Sequence, residues 1–222
     1  VSGDGDFVSL VHQVKKLGYK AYRKAYRLAQ RFTYTQSVLD QMRRSGDERI
    51  LLLSHAIEKA LQKHVSVAEE EYVSKIEAAR RLLLRSNDVM ATGSRLVQSD
   101  GVESVAEVCR AASKKMGWGF FLMKLVRTFQ PSTCLELGTC LGISAAYQSS
   151  ALALNGKGHL ISVEGSSARA NKARETLEHI GLHNVNVLCG EFEDVLPRVL
   201  DGNQQIDFAF IDGDHHLDST LH

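Results

Sequence analysis

The sequence predicts an α/β protein: a doubly wound parallel sheet, apparently truncated after strand four, behind an N-terminal all-helical region. Three observations carry this. After Pro131, short apolar runs alternate with segments of helical periodicity, the pattern of a parallel sheet covered on both faces. Before residue 100, apolar positions recur at helical spacing instead. Charge divides along the same line, with 17 Lys and Arg against 12 Asp and Glu in residues 1–100, and 10 against 14 in residues 101–222.

Helical spacing runs over 7–32, 47–65 and 67–85. Asp47 stands where it can cap the second of these. In the third, Glu69 to Glu71 lie in the first turn and Arg80, Arg81 and Arg85 in the last, an order that suits the helix dipole. The stretch "SNDVMATGSRLVQSDG" breaks the pattern and reads as a loop. A helix or helix pair over 102–129 follows, with "MGWG" marking a break or kink before Pro131. Residues 1–100 are expected to form a helical cap or a homodimer interface, and 101–222 the sheet domain.

The basic excess comes from "KKLGYKAYRKAYRLAQR", where Lys15, Lys16, Lys20, Arg23, Lys24, Arg27 and Arg31 interleave with Tyr19, Tyr22 and Tyr26. Such a face can bind an anionic polymer or membrane surface. The tyrosines also share one helical face, and packing them inward leaves an ordinary solvated basic face. Nucleic acid is therefore not the expected partner. No apolar run approaches the roughly 20 residues of a membrane helix. Val1 to Asp6 are small and acidic rather than signal-like. The four cysteines are scattered without zinc or redox spacing, and a cytoplasmic location is expected.

The strands are "TCLELG", "HLISVEG", "VNVLCG" and "DFAFIDGD", separated by the helices "SAAYQSSALAL", "SSARANKARETLEHIG" and "FEDVLPRVLDG". The chain stops at His222, just inside a helix after strand four, so a continuation is expected. Acids collect at the strand ends. Glu136 and Gly138 close strand one, Glu164 closes strand two, Glu191 and Glu193 follow strand three, and Asp212 and Asp214 close strand four. In an open α/β sheet that rim is where ligands bind. Glu164, 26 residues after Gly138, can accept from both hydroxyls of a ribose.

The turn "LELGTCLGIS" is not the dinucleotide fingerprint, because Cys140 and Ile143 stand where that register needs glycines. An acid at Glu136 suits a cationic ligand group better than a pyrophosphate. With "ISVEG", "VLCGEFEDVLPRV" and "DFAFIDGDHH" following in order, residues 115–222 resemble the class I S-adenosylmethionine-dependent methyltransferases, which have a Rossmann-like fold. Ser144 is the form seen in O-methyltransferases of the catechol and caffeoyl-CoA type.

The resemblance implies a methyl transfer from S-adenosylmethionine to a small-molecule hydroxyl. Gly138 and Gly142 would line the methionine end of the cofactor, Ser144 would donate to its carboxylate, and Glu136 would help hold its amino group. Glu164 would bind the ribose, and Gly190 with Phe192 or Glu193 would border the adenine, Glu191 being the second acid there. Asp212 matches an aspartate that binds Mg²⁺ in metal-dependent members, and His215 a base that deprotonates the acceptor. Alternatives stay open. The glycines could serve packing alone, Glu164 or Asp214 could cap a helix, and His215 could be an exposed helix-start residue. Methylation of nucleic acid or protein, or a non-catalytic scaffold, are the rival functions.

Overall fold

The structure, a computed structural model, describes residues 35–62, 65–91, 101–201 and 205–213. The basic tyrosine-bearing stretch, Asp214 and His215 lie outside them. The chain parts into two compact units, residues 1–54 and 55–222. In the first, residues 35–44 are helical (α1). Asp47 then caps α2 (Glu48–Leu61), its Oδ1 accepting from Arg49 N at 2.8 Å and Ile50 N at 3.3 Å.

The second unit begins inside α2, at His55, and continues with α3 (Val67–Arg85), whose start is a capping box. Ser66 Oγ accepts from Glu69 N, and Glu69 Oε2 accepts from Ser66 N at 2.8 Å. The stretch expected to be a loop contains β1 (Val89–Ala91), and the segment expected to begin a helix at 102 begins with β2 (Val102–Ser104). The two form an antiparallel ribbon pairing Met90 with Glu103. Three-residue strands are too short to show alternation in the sequence, which is why periodicity missed them. Two helices follow, α4 (Val105–Ala112) and α5 (Met116–Phe129). The break thus falls at 113–115, just ahead of "MGWG". Gly119 is there for space: a Cβ on it would lie 2.3 Å from the ring of Tyr147.

The sheet alternates β3 (Thr133–Leu137), α6 (Ile143–Asn155), β4 (His159–Glu164), α7 (Ser167–Ile180), β5 (Val185–Cys189), α8 (Phe192–Leu200) and β6 (Phe208–Ile211). All four strands are parallel, in the order β5-β4-β3-β6. The expected doubly wound sheet is present. Strand parity sorts the core into two. Cys134, Leu160 and Val187 face one side, where they pack with α3 to α7. Leu135, Leu137, Ile161 and Val163 face the other, against Val195 and Val199 of α8.

One ion pair ties the helices to the core. Lys124 of α5, 3% exposed, donates to both Glu69 oxygens at 2.8 Å, and its ammonium lies 4.9 Å from the Phe120 ring centroid. Burial alone would raise the Glu69 pKa, but the Lys124 and Ser66 donors outweigh it and the pKa is lowered. Removing Lys124 leaves the buried Glu69 carboxylate with only Arg127, 3.9 Å away, as a counter-charge. Lys124→Met is expected to cost about 3 kcal/mol in urea unfolding, with Glu69→Gln on top recovering part of the loss. Equal stability of Lys124→Met and wild type would show that the pair braces nothing.

Candidate functional site at the strand ends

The rim is built from the connections after β3, β4 and β5 and from Asp212 and Gly213 after β6. Beyond the strands proper the ladder continues into them: Gly138 N donates to Val163 O, Gly190 N to Glu164 O and Asp212 N to Leu137 O, at 2.9–3.0 Å. Chain order places the 138–142 turn at the switch point, since β4 lies on one side of β3 and β6 on the other. From this turn α6 departs with Gly142 as its N-cap and no side-chain cap.

The bareness of the two glycines has a local cause. Gly138 has φ +99°, and a Cβ there would lie 2.7 Å from Asp212 O and 2.8 Å from Gly213 Cα. Gly142 has φ +83°, and its Cβ would lie 3.1–3.3 Å from Ala173. The chain's own backbone takes the space, at the end of β6 in one case and on α7 in the other. Both positions also require the left-handed region that glycine visits without strain. Close packing therefore accounts for both, the alternative left open by the sequence.

Glu136 lies inside the molecule rather than on the rim. It is fully buried, because parity turns residue 136 toward α6 and the register sets it beside Ser162. Its Oε2 accepts from Ser162 Oγ at 2.5 Å and its Oε1 from Gln148 Nε2 at 2.8 Å. The Ser144 hydroxyl also hydrogen-bonds it. Because Ser162 gives its proton to Glu136, the 2.5 Å contact between Thr139 Oγ1 and Ser162 Oγ is donated by Thr139. A chain of hydroxyls thus runs from the buried carboxyl to the turn. Burial drives the Glu136 pKa up to about 7 against the Ser162, Ser144 and Gln148 hydrogen bonds, with Asp212 adding a smaller upward push. Gln148 Oε1 is buried with no partner among the described residues. A proton on Glu136 would give that oxygen a donor if the amide turned over.

Glu164 is 8% exposed at the end of β4, on the rim. Its Oε2 accepts from Cys140 N at 2.7 Å and its Oε1 from Ser166 N at 3.0 Å. Burial raises its pKa, against those two backbone donors and Arg169. It does not cap α7; Ser166 does, accepting from Arg169 N. Arg169 is held by Glu103 of β2 through two hydrogen bonds of 2.7 Å. Gly190 has φ +151°, and a Cβ there would lie 2.9 Å from Val195 Cγ2. Glu191 is the N-cap residue of α8, and Phe192 and Glu193 form its first turn. The Phe192 ring closes on Gly213, its Cζ 2.5 Å from where a Cβ would stand. Trp118, beside the rim in sequence, is 62% exposed.

Asp212 forms an ion pair at 2.8 Å with Lys114, from the connection between α4 and α5. Sequence reading missed Lys114. It sits in no motif, and only the folded chain brings it to the end of β6. Among the described residues no three His, Cys, Asp or Glu side chains converge as a metal would need. Among the described residues the Asp212 carboxylate faces an ammonium and is joined by no cluster of further acids.

Residues 135–222 match the family model of a methyltransferase domain. The match opens inside β3 and takes in the strand-end connections after β3, β4 and β5. Similar solved structures include an O-methyltransferase from Bacillus cereus in complex with SAH, at 25% identity over 64% of this chain and 55% of that one, with a TM-score of 0.49. Another is the O-methyltransferase TomG from Streptomyces achromogenes, involved in tomaymycin synthesis and in complex with SAM, at 26% identity over 68% and 56%, with a TM-score of 0.45. The chain spans about half the length of each. No curated protein matches it. No helix among the described residues is long and apolar enough to cross a membrane.

The 138–142 turn yields two expectations. Gly138→Ala should cost about 3 kcal/mol or more, and Gly142→Ala less, because backbone cannot yield at Gly138 as a neighbouring helix can at Gly142; equal losses in thermal unfolding would contradict the packing account. Glu136 keeps its proton in the folded state to about pH 7, whereas the unfolded chain releases it near 4.5. Raising pH between those values therefore favours unfolding. Glu136→Gln lacks that dependence, so relative to wild type it gains on the order of 1–3 kcal/mol between pH 5 and pH 8. Parallel stability curves for the two proteins would refute a buried titrating acid.

Proposed function

We propose that this chain is the cofactor-binding part of an S-adenosylmethionine-dependent methyltransferase acting on a hydroxyl of a small molecule. The observation that carries the reading is the methyltransferase-domain match over 135–222, with its rim at the switch point of the sheet. The motif order supports the cofactor, and the O-methyltransferase type rests on the form of the turn ending in Ser144.

The rim fits the nucleoside end of that cofactor. A carboxylate offers about four acceptor positions, and Glu164 spends one on Cys140 N and one on Ser166 N. Two remain for a ribose diol, on a side chain held from both sides. Bound S-adenosylmethionine supplies a methyl group made electrophilic by the sulfonium. The protein's work is then placement, with Glu164 fixing the ribose and the rim excluding water from the reacting oxygen. His215 is assigned the acceptor's proton, a role suited to a group that titrates near neutral pH.

Calorimetry with S-adenosylmethionine tests the reading. Wild type is expected to bind, and Glu164→Ala to lose about tenfold or more, the worth of a charge-assisted hydrogen-bond pair. Thermal unfolding of the same variant separates this from loss of the brace on Cys140. Binding as tight as wild type would remove Glu164 from the ribose. His215→Gln should lower the methyl-transfer rate by roughly a hundredfold while cofactor affinity stays put.

A further inference from the structure

The two residues expected to hold the amino-acid end of the cofactor are both occupied in the core. Glu136 is fully buried, bonded to Ser162, Gln148 and Ser144, and Ser144 spends its hydroxyl on that carboxyl. An α-amino acid head carries one ammonium and one carboxylate on the same carbon. It needs an anion and a cation side by side, reachable from solvent, next to the turn.

The rim holds such a pair. Asp212 and Lys114 face each other at 2.8 Å, with 19% and 34% of their side chains exposed. The backbone of Asp212 packs directly on Gly138, which fixes the pair beside the turn. Lys114 comes from 113–115, a connection anchored by α4 and α5. A lysine there is a point charge on a flexible stem and can swing from a carboxylate on the protein to one on a ligand.

We infer that Lys114 is a cofactor-binding residue, taking the carboxylate of the amino-acid end while Asp212 takes the ammonium. The inference rests on the reading of the site as one for S-adenosylmethionine. The intramolecular ion pair opens and is replaced by two intermolecular ones, so neither charge is left without a partner. The pair also gives the site a preference: ligands with a zwitterionic head over those with a neutral or singly charged one.

The test compares ligands that share the nucleoside and differ in the head. S-adenosylmethionine and S-adenosylhomocysteine carry the full zwitterion, decarboxylated S-adenosylmethionine keeps only the ammonium, and 5′-methylthioadenosine has neither. By calorimetry, Lys114→Met is expected to lose about tenfold or more for the two zwitterionic ligands and to hold the other two within about twofold. Lys114→Arg should retain most of the affinity. Wild type should bind decarboxylated S-adenosylmethionine about tenfold or more weakly than the intact cofactor, a comparison that needs no variant. Undiminished binding of S-adenosylmethionine by Lys114→Met overturns the inference. So does equal loss for 5′-methylthioadenosine, which would make Lys114 a brace of the fold, and so does wild type failing to discriminate against the decarboxylated ligand. Failure of wild type to bind any of the four removes the methyltransferase reading and the clamp together, whereas the other adverse results leave that reading standing.

Discussion

A carboxyl group sealed inside an apolar sheet must find hydrogen-bond donors or lose its charge, and much of the polar architecture near the rim follows from that demand at Glu136. Ser162, Gln148 and Ser144 are all buried, and all turn toward it. Gln148 keeps one buried oxygen without a partner among the described residues, so the bracing of the turn runs through the hydroxyls. Their outer member, Thr139, lies in the turn between β3 and α6, so the carboxyl holds that turn from beneath. A parallel register that pairs Glu136 with Ser162 makes the arrangement possible.

The turn is held from above as well. Cys140 adopts φ +50°, unusual for a residue with a side chain, and its N–H is tied to Glu164. Burial pushes its thiol up to about 12, against the nearby Arg169 charge, so it behaves as a packed apolar group rather than a nucleophile. The 138–142 turn is therefore held on two sides by the chain's own side chains, and a ligand at this rim would leave little of it to order.

The sheet was legible because its strands are apolar on both faces and its helices carry a separate period. Asp47 as a cap and the acidic start of α3 were legible for the same kind of reason, local chemistry acting over one turn of helix. The ribbon of β1 and β2 was not, having too few residues for alternation to register. Nor was the depth of Glu136. Motif position put it at a strand end, but whether residue 136 meets solvent or α6 depends on which face the neighbouring helices cover. Lys114 shows the same limit. Its partner lies far along the chain, and no spacing rule links a loop lysine to a distant strand end. At the glycines the sequence shows a bare backbone but not what lies over it, which looks the same whether a ligand or the chain itself fills the space.

β6 has an importance out of proportion to its four residues. The carboxylate of Asp207 accepts from the N–H groups of Ser132 and Thr133, 75 and 74 residues earlier, and stitches the start of β3 to the start of β6. At the other end of the same strand, Asp212 and Gly213 fill the niche over Gly138. On a ribosome, β3, β4 and β5 emerge first and can pair with one another while that niche is still open. The 138–142 turn therefore acquires its final wall only when the last described strand arrives, a contact of long sequence separation and correspondingly slow closure. Until β6 arrives, the edge of β3 that it will pair with has no strand beside it.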